Sequence, residues 1–250
     1  MTEKRTWLIL GGTSAVGRSF ARAVAKRGDD ILFLGKEEDD LKLSAEDIRV
    51  RYPGTTVGIQ ELDTSNPDSF AKTVETCEAE AKNIISVFSA LETAYSQKEC
   101  GKDLGKIKNM FQINYFAQIY FMSAIAAVMQ KQGNGEIIVL GSTAGEYGAA
   151  DNYAYGSTKA ALHVWMQGFH DQMKQEGITV TIVKVDTFLG IVGERKTLSF
   201  WTPIDSDACA QKCLEYSAKK AYTRYFPWYS CLTVQLRRYI PADVFKHIKK

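Results

Sequence analysis

The sequence predicts an α/β domain: one doubly wound parallel sheet with helices on both faces. Three observations predict it. Short apolar runs alternate with longer segments of helical periodicity along most of the chain, the pattern of parallel strands joined by crossover helices. The first run, Thr6–Leu10, leads directly into a glycine-rich turn and then a helix. The chain has 250 residues and 45% apolar content, enough to bury one full α/β core.

The elements follow in order. Thr6-Trp-Leu-Ile-Leu10 is a short apolar run, as a buried strand is. After the turn Gly11-Gly-Thr13-Ser14-Ala15-Val16-Gly17, helical periodicity predicts a helix over 15–27. A second strand, 31–34, runs out at Gly35-Lys36, and a helix is expected over 40–51. A third strand, 57–62, ends in Gln60-Glu-Leu-Asp63. Asn66-Pro67 then marks a helix start, with proline at the first helical position of a helix over 67–82. The fourth strand, 84–90, precedes a long helix over 105–131. The fifth, 136–142, is apolar up to Ser142, and the helix after it, 154–176, opens at Tyr155. The sixth, 178–185, ends at Val185-Asp186 and is followed by a helix over 205–219. No fixed-period repeat or low-complexity tract interrupts this order.

The Gly11 turn and Ser142 both fall at carboxyl ends of strands, where such sheets bind ligands. Glycines permit a tight bend and close backbone approach, and a helix start offers free N–H groups to an anion. Such a turn can cradle a dinucleotide pyrophosphate; it also serves as a plain turn before a helix. Tyr155 and Lys159, four residues apart, lie one above the other on a helix. An ammonium near a phenol favours the phenolate and is expected to lower its pKa from about 10. The phenol then becomes a proton donor to a carbonyl, with the Ser142 hydroxyl beside the same oxygen. The spacing alone says little, because Tyr216 and Lys220 repeat it with no strand-borne serine before them.

Together these pieces resemble the short-chain dehydrogenase/reductase family over roughly residues 5–190. The resemblance implies a Rossmann-type fold and hydride transfer between a nicotinamide and a small-molecule carbonyl or secondary alcohol. It implies the catalytic set Asn114, Ser142, Tyr155 and Lys159, with Asn114 supporting a water that refills the proton and Lys159 also holding the nicotinamide ribose. It places the pyrophosphate on Gly11, Thr13, Ser14, Ala15, Val16 and Gly17, with Ala15 where the family has its middle glycine. Asp63 matches the acid that contacts adenine. Two segments depart from the family. Its Asn-Asn-Ala-Gly is Phe88-Ser-Ala90-Leu91 here, matching only at Ala90. Its Pro-Gly after the sixth strand is Val185-Asp186, which brings Asp186 to the nicotinamide pocket or leaves it an exposed loop aspartate. These departures favour a rival reading, a catalytically silent NADP(H)-binding regulator.

Cofactor choice is argued from the second strand. An acid at its end grips the ribose hydroxyls of NAD, whereas a base accepts a 2′-phosphate. Gly35 stands at that end and Lys36 follows, with Arg18 as a second base. NADP(H) is therefore favoured over NAD(H), against the crowding of Glu37, Glu38, Asp39 and Asp40.

The rest of the chain bounds location and partners. No run reaches the ~18 apolar residues of a membrane helix, and the N-terminus passes straight into the first strand. Five cysteines without a Cys-x-x-Cys pair, and only three histidines, predict reduced thiols, a cytoplasmic setting and no metal centre. The whole chain, 1–250, is expected to be one dinucleotide-binding domain. The apolar stretch 187–204 is expected to cover a bulky or lipophilic substrate, with Tyr147 and Tyr153 on the other wall. Residues 219–250 carry eight Lys or Arg against one acid, interleaved with aromatics. That composition predicts a last strand and helix, with peripheral membrane contact as the further reading and no nucleic acid. Arg237-Arg-Tyr-Ile-Pro-Ala-Asp-Val-Phe245 also resembles the end of reductases acting on decaprenylphosphoryl keto-pentoses, which implies a lipid-linked keto-sugar. By family analogy the long helices pair subunits into a homodimer or homotetramer.

Overall fold

The computed structural model describes residues 3–186 and 205–239. Seven strands form one sheet: β1 (Arg5–Leu10), β2 (Asp30–Gly35), β3 (Val57–Glu61), β4 (Ile84–Ser89), β5 (Glu136–Ser142), β6 (Thr179–Val185) and β7 (Thr223–Phe226). Their order is β3-β2-β1-β4-β5-β6-β7, and every neighbouring pair is parallel. The predicted doubly wound sheet is thus observed, extended by a seventh strand from the C-terminal segment.

Helices cover both faces because the strands are apolar on both. On β1, Trp7 and Ile9 point to one core and Leu8 and Leu10 to the other. The first face carries α1 (Ala15–Ala25), α2 (Glu38–Arg51) and α8 (Ser206–Ala218), packed around Phe20, Phe33 and Phe88. The second carries α3 (Ser69–Glu80), α6 (Ala117–Gln132) and α7 (Tyr153–Gln175), packed around Phe70, Phe121 and Met166. Between them run α4 (Gln97–Lys102) and α5 (Leu104–Phe111), and α9 (Ser230–Tyr239) ends the described chain.

The expected helix over 105–131 is broken. Asp103 ends α4 and caps α5 by accepting from the Gly105 N–H at 2.8 Å. A π-helical turn, Gln112–Phe116, then joins α5 to α6. Pro67 does not open α3 either. Asn66 Oδ1 accepts from the Asp68 N–H at 3.1 Å, and Ser69 Oγ donates to the Asn66 carbonyl at 2.7 Å. Asparagine here builds a turn of its own, and the helix begins at Ser69. The expected lid, 187–204, lies outside the described residues, as do residues 240–250 of the tail.

Strand order reverses between β1 and β4, and there the chain after each strand comes close. Gly11, with φ of 74°, would place a Cβ 2.6 Å from the Ala90 carbonyl oxygen. Only glycine fits that conformation and that gap. Gly11→Ala is expected to cost about 1–3 kcal/mol and lower the thermal unfolding midpoint. Gly54→Ala, where a methyl meets nothing within 4 Å, serves as the neutral control.

Candidate active site

The Gly11 turn is held open by its own serine. Ser14 Oγ donates to the Gly11 carbonyl at 2.8 Å and accepts from the Gly17 N–H at 3.0 Å, capping α1. Gly17 packs against the same bend, where a Cβ would sit 2.4 Å from the Gly11 oxygen. Thr13 and Ala15 are exposed on the turn, while Val16 turns into the core. The first N–H groups of a helix have no intrahelical acceptor, so this corner fits an anionic diphosphate.

On the same sheet edge, Ser142 ends β5 while Tyr155 and Lys159 occupy the first turns of α7. Lys159 Nζ lies 5.7 Å from the Tyr155 ring centroid. The structure brings the three together and adds a fourth group. Glu92 Oε2 accepts from the Tyr155 hydroxyl at 2.9 Å and pairs with Lys159 Nζ at 2.6 Å. Lys159 is 1% exposed and Glu92 25%. The expected acidification of the phenol is therefore not what this arrangement gives. Burial first, and then the Glu92 carboxylate, push the Tyr155 pKa well above the ordinary phenol value, against a smaller downward pull from Ser142. The ammonium that was to stabilise the phenolate is matched by a carboxylate.

Asn114 sits in the π-helical turn, fully buried. Its side chain accepts from the Thr93 N–H at 2.7 Å and donates to the Thr93 carbonyl at 2.8 Å and to Thr158 Oγ1 at 3.2 Å. Its own carbonyl accepts from Gln118 Nε2 at 2.9 Å. Gln118 also donates to the Leu91 carbonyl at 3.2 Å and accepts from Ser89 Oγ at 2.8 Å. Asn114 thus fixes the backbone beside Glu92 and reaches Thr158, the neighbour of Lys159. The departure at Phe88 has a packing reason: its ring stacks on Phe20 with centroids 3.8 Å apart.

Behind Ser142 lies a buried polar cluster. His163 Nε2 accepts from the Ser142 N–H at 3.3 Å, and His163 Nδ1 faces Glu146 Oε1 at 3.4 Å. These partners select the Nδ1–H tautomer. Burial holds the His163 pKa below its ordinary value, so the contact with Glu146 is not an ion pair, and the ionic partner of Glu146 is Lys184. Burial raises the Glu146 carboxyl, but His163 and Lys184 outweigh it and bring the pKa down to about 2. Asp186 is tied in, not a free loop residue: it accepts from Thr143 Oγ1 at 3.2 Å and from Ser230 Oγ at 2.9 Å. That joins the ends of β5 and β6 to α9.

Lys36 is exposed just past β2. Arg18 Nε donates to Ser44 Oγ on α2 at 3.2 Å. Asp63 follows β3 and accepts from the Ser65 N–H at 2.9 Å, and the Ala90 N–H donates to the Leu10 carbonyl at 2.9 Å. Tyr153 is exposed at the start of α7. Among the described residues no group of three or more His, Cys, Asp or Glu is placed to hold a metal ion, and no helix is long and apolar enough to cross a membrane.

The family model for short chain dehydrogenases matches residues 5–189. The chain belongs to the short-chain dehydrogenase family. An oxidoreductase of Mycobacterium tuberculosis is 26% identical over 246 residues, covering 97% of this chain and 96% of its own length. An oxidoreductase of Staphylococcus epidermidis is 26% identical over 202 residues, covering 78% and 86%. Among solved structures, a short-chain dehydrogenase from Sphingobium yanoikuyae in complex with NADPH has a TM-score of 0.78 at 22% identity, covering 95% of this chain and 97% of its own. A short-chain dehydrogenase/reductase from Burkholderia phymatum in complex with NAD has a TM-score of 0.81 at 16% identity, covering 94% and 93%. These structural likenesses bear on the fold.

The acid limb of stability follows from Glu146. Its folded pKa of about 2 lies below the unfolded value of about 4.3. Its stabilisation is therefore complete above that unfolded value and is lost as pH falls toward 2. Glu146→Gln is expected to flatten that limb in denaturation followed by circular dichroism. It is also expected to destabilise the neutral protein by a few kcal/mol, because Lys184 loses its counter-charge.

Proposed function

We propose that this member of the short-chain dehydrogenase family is an NADP(H)-preferring reductase of a bulky carbonyl compound, with a lipid-linked keto-sugar as the substrate class. The observation that carries the reading is the meeting of Ser142, Tyr155 and Lys159 on the sheet edge that also carries the Gly11 turn. Gly11, Thr13, Ser14, Ala15, Val16 and Gly17 bind the pyrophosphate. Asp63 and Ala90 border the adenosine and ribose, Lys36 meets the 2′-phosphate, and Asp186 stands on the nicotinamide side. When bound, the nucleotide would supply the hydride that the carbonyl carbon accepts. Tyr155 gives its proton to the carbonyl oxygen, Lys159 stabilises the phenolate left behind, and Ser142 orients that oxygen. Asn114 contributes by fixing Thr93 and Thr158.

The substrate class rests on the tail. Trp228, Leu232 and Leu236 are exposed at 71%, 63% and 58%, four residues apart, the first just before α9 and the others along it. Apolar groups beside a cationic tail fit the surface of an anionic membrane, where a lipid-linked substrate resides. Five free thiols fit a reducing, cytoplasmic setting. Val164, exposed on α7, marks the face through which subunits pair into a homodimer or homotetramer. The second reading, a cofactor-binding regulator without turnover, is favoured by one observation: the Tyr155 proton is held by Glu92.

The test is loss of dihydronicotinamide absorbance against a panel of bulky ketones and keto-sugars. Tyr155→Phe is expected to lower kcat by about 10³-fold or more while NADPH binding changes little. Equal rates in the two proteins remove Tyr155 as the acid, and no turnover with any ketone favours the regulator. Lys36→Ala is expected to weaken NADPH binding by about tenfold, the loss of one charge-assisted phosphate contact, with NADH unaffected. Loss of both alike would refute the 2′-phosphate assignment.

A further inference from the structure

A phenol has one O–H and donates one strong hydrogen bond at a time. In this structure that bond goes to Glu92, so the proton is not directed at a substrate. The same carboxylate oxygen neutralises Lys159, the residue that the proposed reading needs for the cofactor ribose and the phenolate. We propose that Glu92 is a further residue of the reaction centre, an internal ligand that occupies Tyr155 and Lys159 until the nicotinamide end of the cofactor displaces it. The inference rests on the reading above and adds to it the residue that sets cofactor affinity.

Three features support the assignment. The first is that one atom serves two donors. A carboxylate at 2.6 Å from a buried ammonium and 2.9 Å from a buried hydroxyl is a satisfied site, not a chance contact. The second is that the backbone delivering Glu92 is fixed on both sides. Asn114 holds both polar groups of Thr93, Gln118 holds the Leu91 carbonyl, and the Leu10 carbonyl holds the Ala90 N–H. The carboxylate can therefore leave by side-chain rotation with the chain in place. The third is the gradient of exposure. Lys159 and Tyr155 are 1% and 5% exposed, whereas Glu92 is 25% exposed. Only the acid has an open way out.

The energetics give the contact its consequence. Ribose hydroxyls are neutral acceptors, so taking Lys159 from a carboxylate costs part of the binding free energy. The apparent affinity falls by the fraction of molecules with Lys159 released. The cost applies to a ligand that reaches Lys159 and spares one that stops at the adenosine half.

The experiment is equilibrium binding by protein fluorescence with two probes, NADPH and adenosine 2′,5′-bisphosphate. The proteins are wild type, Glu92→Gln and Glu92→Asp. Glutamine keeps the shape and removes the charge. Aspartate keeps the charge and shortens the reach. Both variants are expected to bind NADPH about tenfold tighter, with the bisphosphate unchanged within about twofold. Thermal unfolding checks that each is folded, and either folded variant decides the question. Unchanged NADPH affinity overturns the proposal. So does equal tightening for both probes, which is a net-charge effect. Failure of either probe to bind any of the three proteins overturns the cofactor reading itself.

Discussion

A buried ammonium has to be neutralised, and in this protein that requirement organises the candidate site. Lys159 is almost wholly removed from water. An unpaired charge there would cost several kcal/mol, so the fold supplies a carboxylate from the other side of the sheet edge. Delivering Glu92 takes the chain after β4, the π-helical turn that carries Asn114, and Gln118 on α6. Helix α7, strand β4 and the junction of α5 with α6 are tied together around one charge. The break in the expected long helix has its use here: the π-helical turn sets Asn114 where both polar groups of Thr93 are within its reach.

That constraint also revises the chemistry expected of Tyr155. A lysine one turn away predicts an acidified phenol when the pair is considered alone. The pair is not alone. With Glu92 present the local charge is balanced, and burial dominates, so the phenol is held in its protonated form. A protonated phenol is the correct resting state for a proton donor to a carbonyl. What the resting state lacks is a cation free to stabilise the phenolate product.

How much was legible in the sequence follows from how far apart the partners are. The Gly11 turn, Ser142, Tyr155 and Lys159 were readable because each is fixed locally, by a strand end, a cap or helical spacing. The sheet was readable because its strands are apolar on both faces. Glu92 was not, since it meets Tyr155 across 63 residues and stands one position beyond the segment that departs from the family. The signal was present: an acid directly follows Leu91, just past the carboxyl end of β4. The partners of Asn114, 21 and 44 residues away, depend on the π-helical turn, which has no sequence signature. The contacts of His163 with Glu146 and with the Ser142 backbone again join positions far apart in the chain. The helix start at Pro67 failed for a local reason, because the Asn66 side chain builds its own turn.

Among the described residues, two ion pairs near Ser142 and Tyr155 differ in how far their carboxylates are closed in. Glu146 is 6% exposed and has both Lys184 and His163 as partners. Little of its side chain meets water, and its low pKa reflects His163 and Lys184. Beside it His163 accepts from the Ser142 N–H, at the end of β5. Glu92 is four times as exposed as Glu146, and its two partners are the groups that the proposed chemistry needs. A carboxylate meant only to neutralise Lys159 would gain from being closed in as Glu146 is. One left open to solvent, on a backbone anchored on both sides, keeps the lysine paired while the site is empty and can release it without unfolding anything around it.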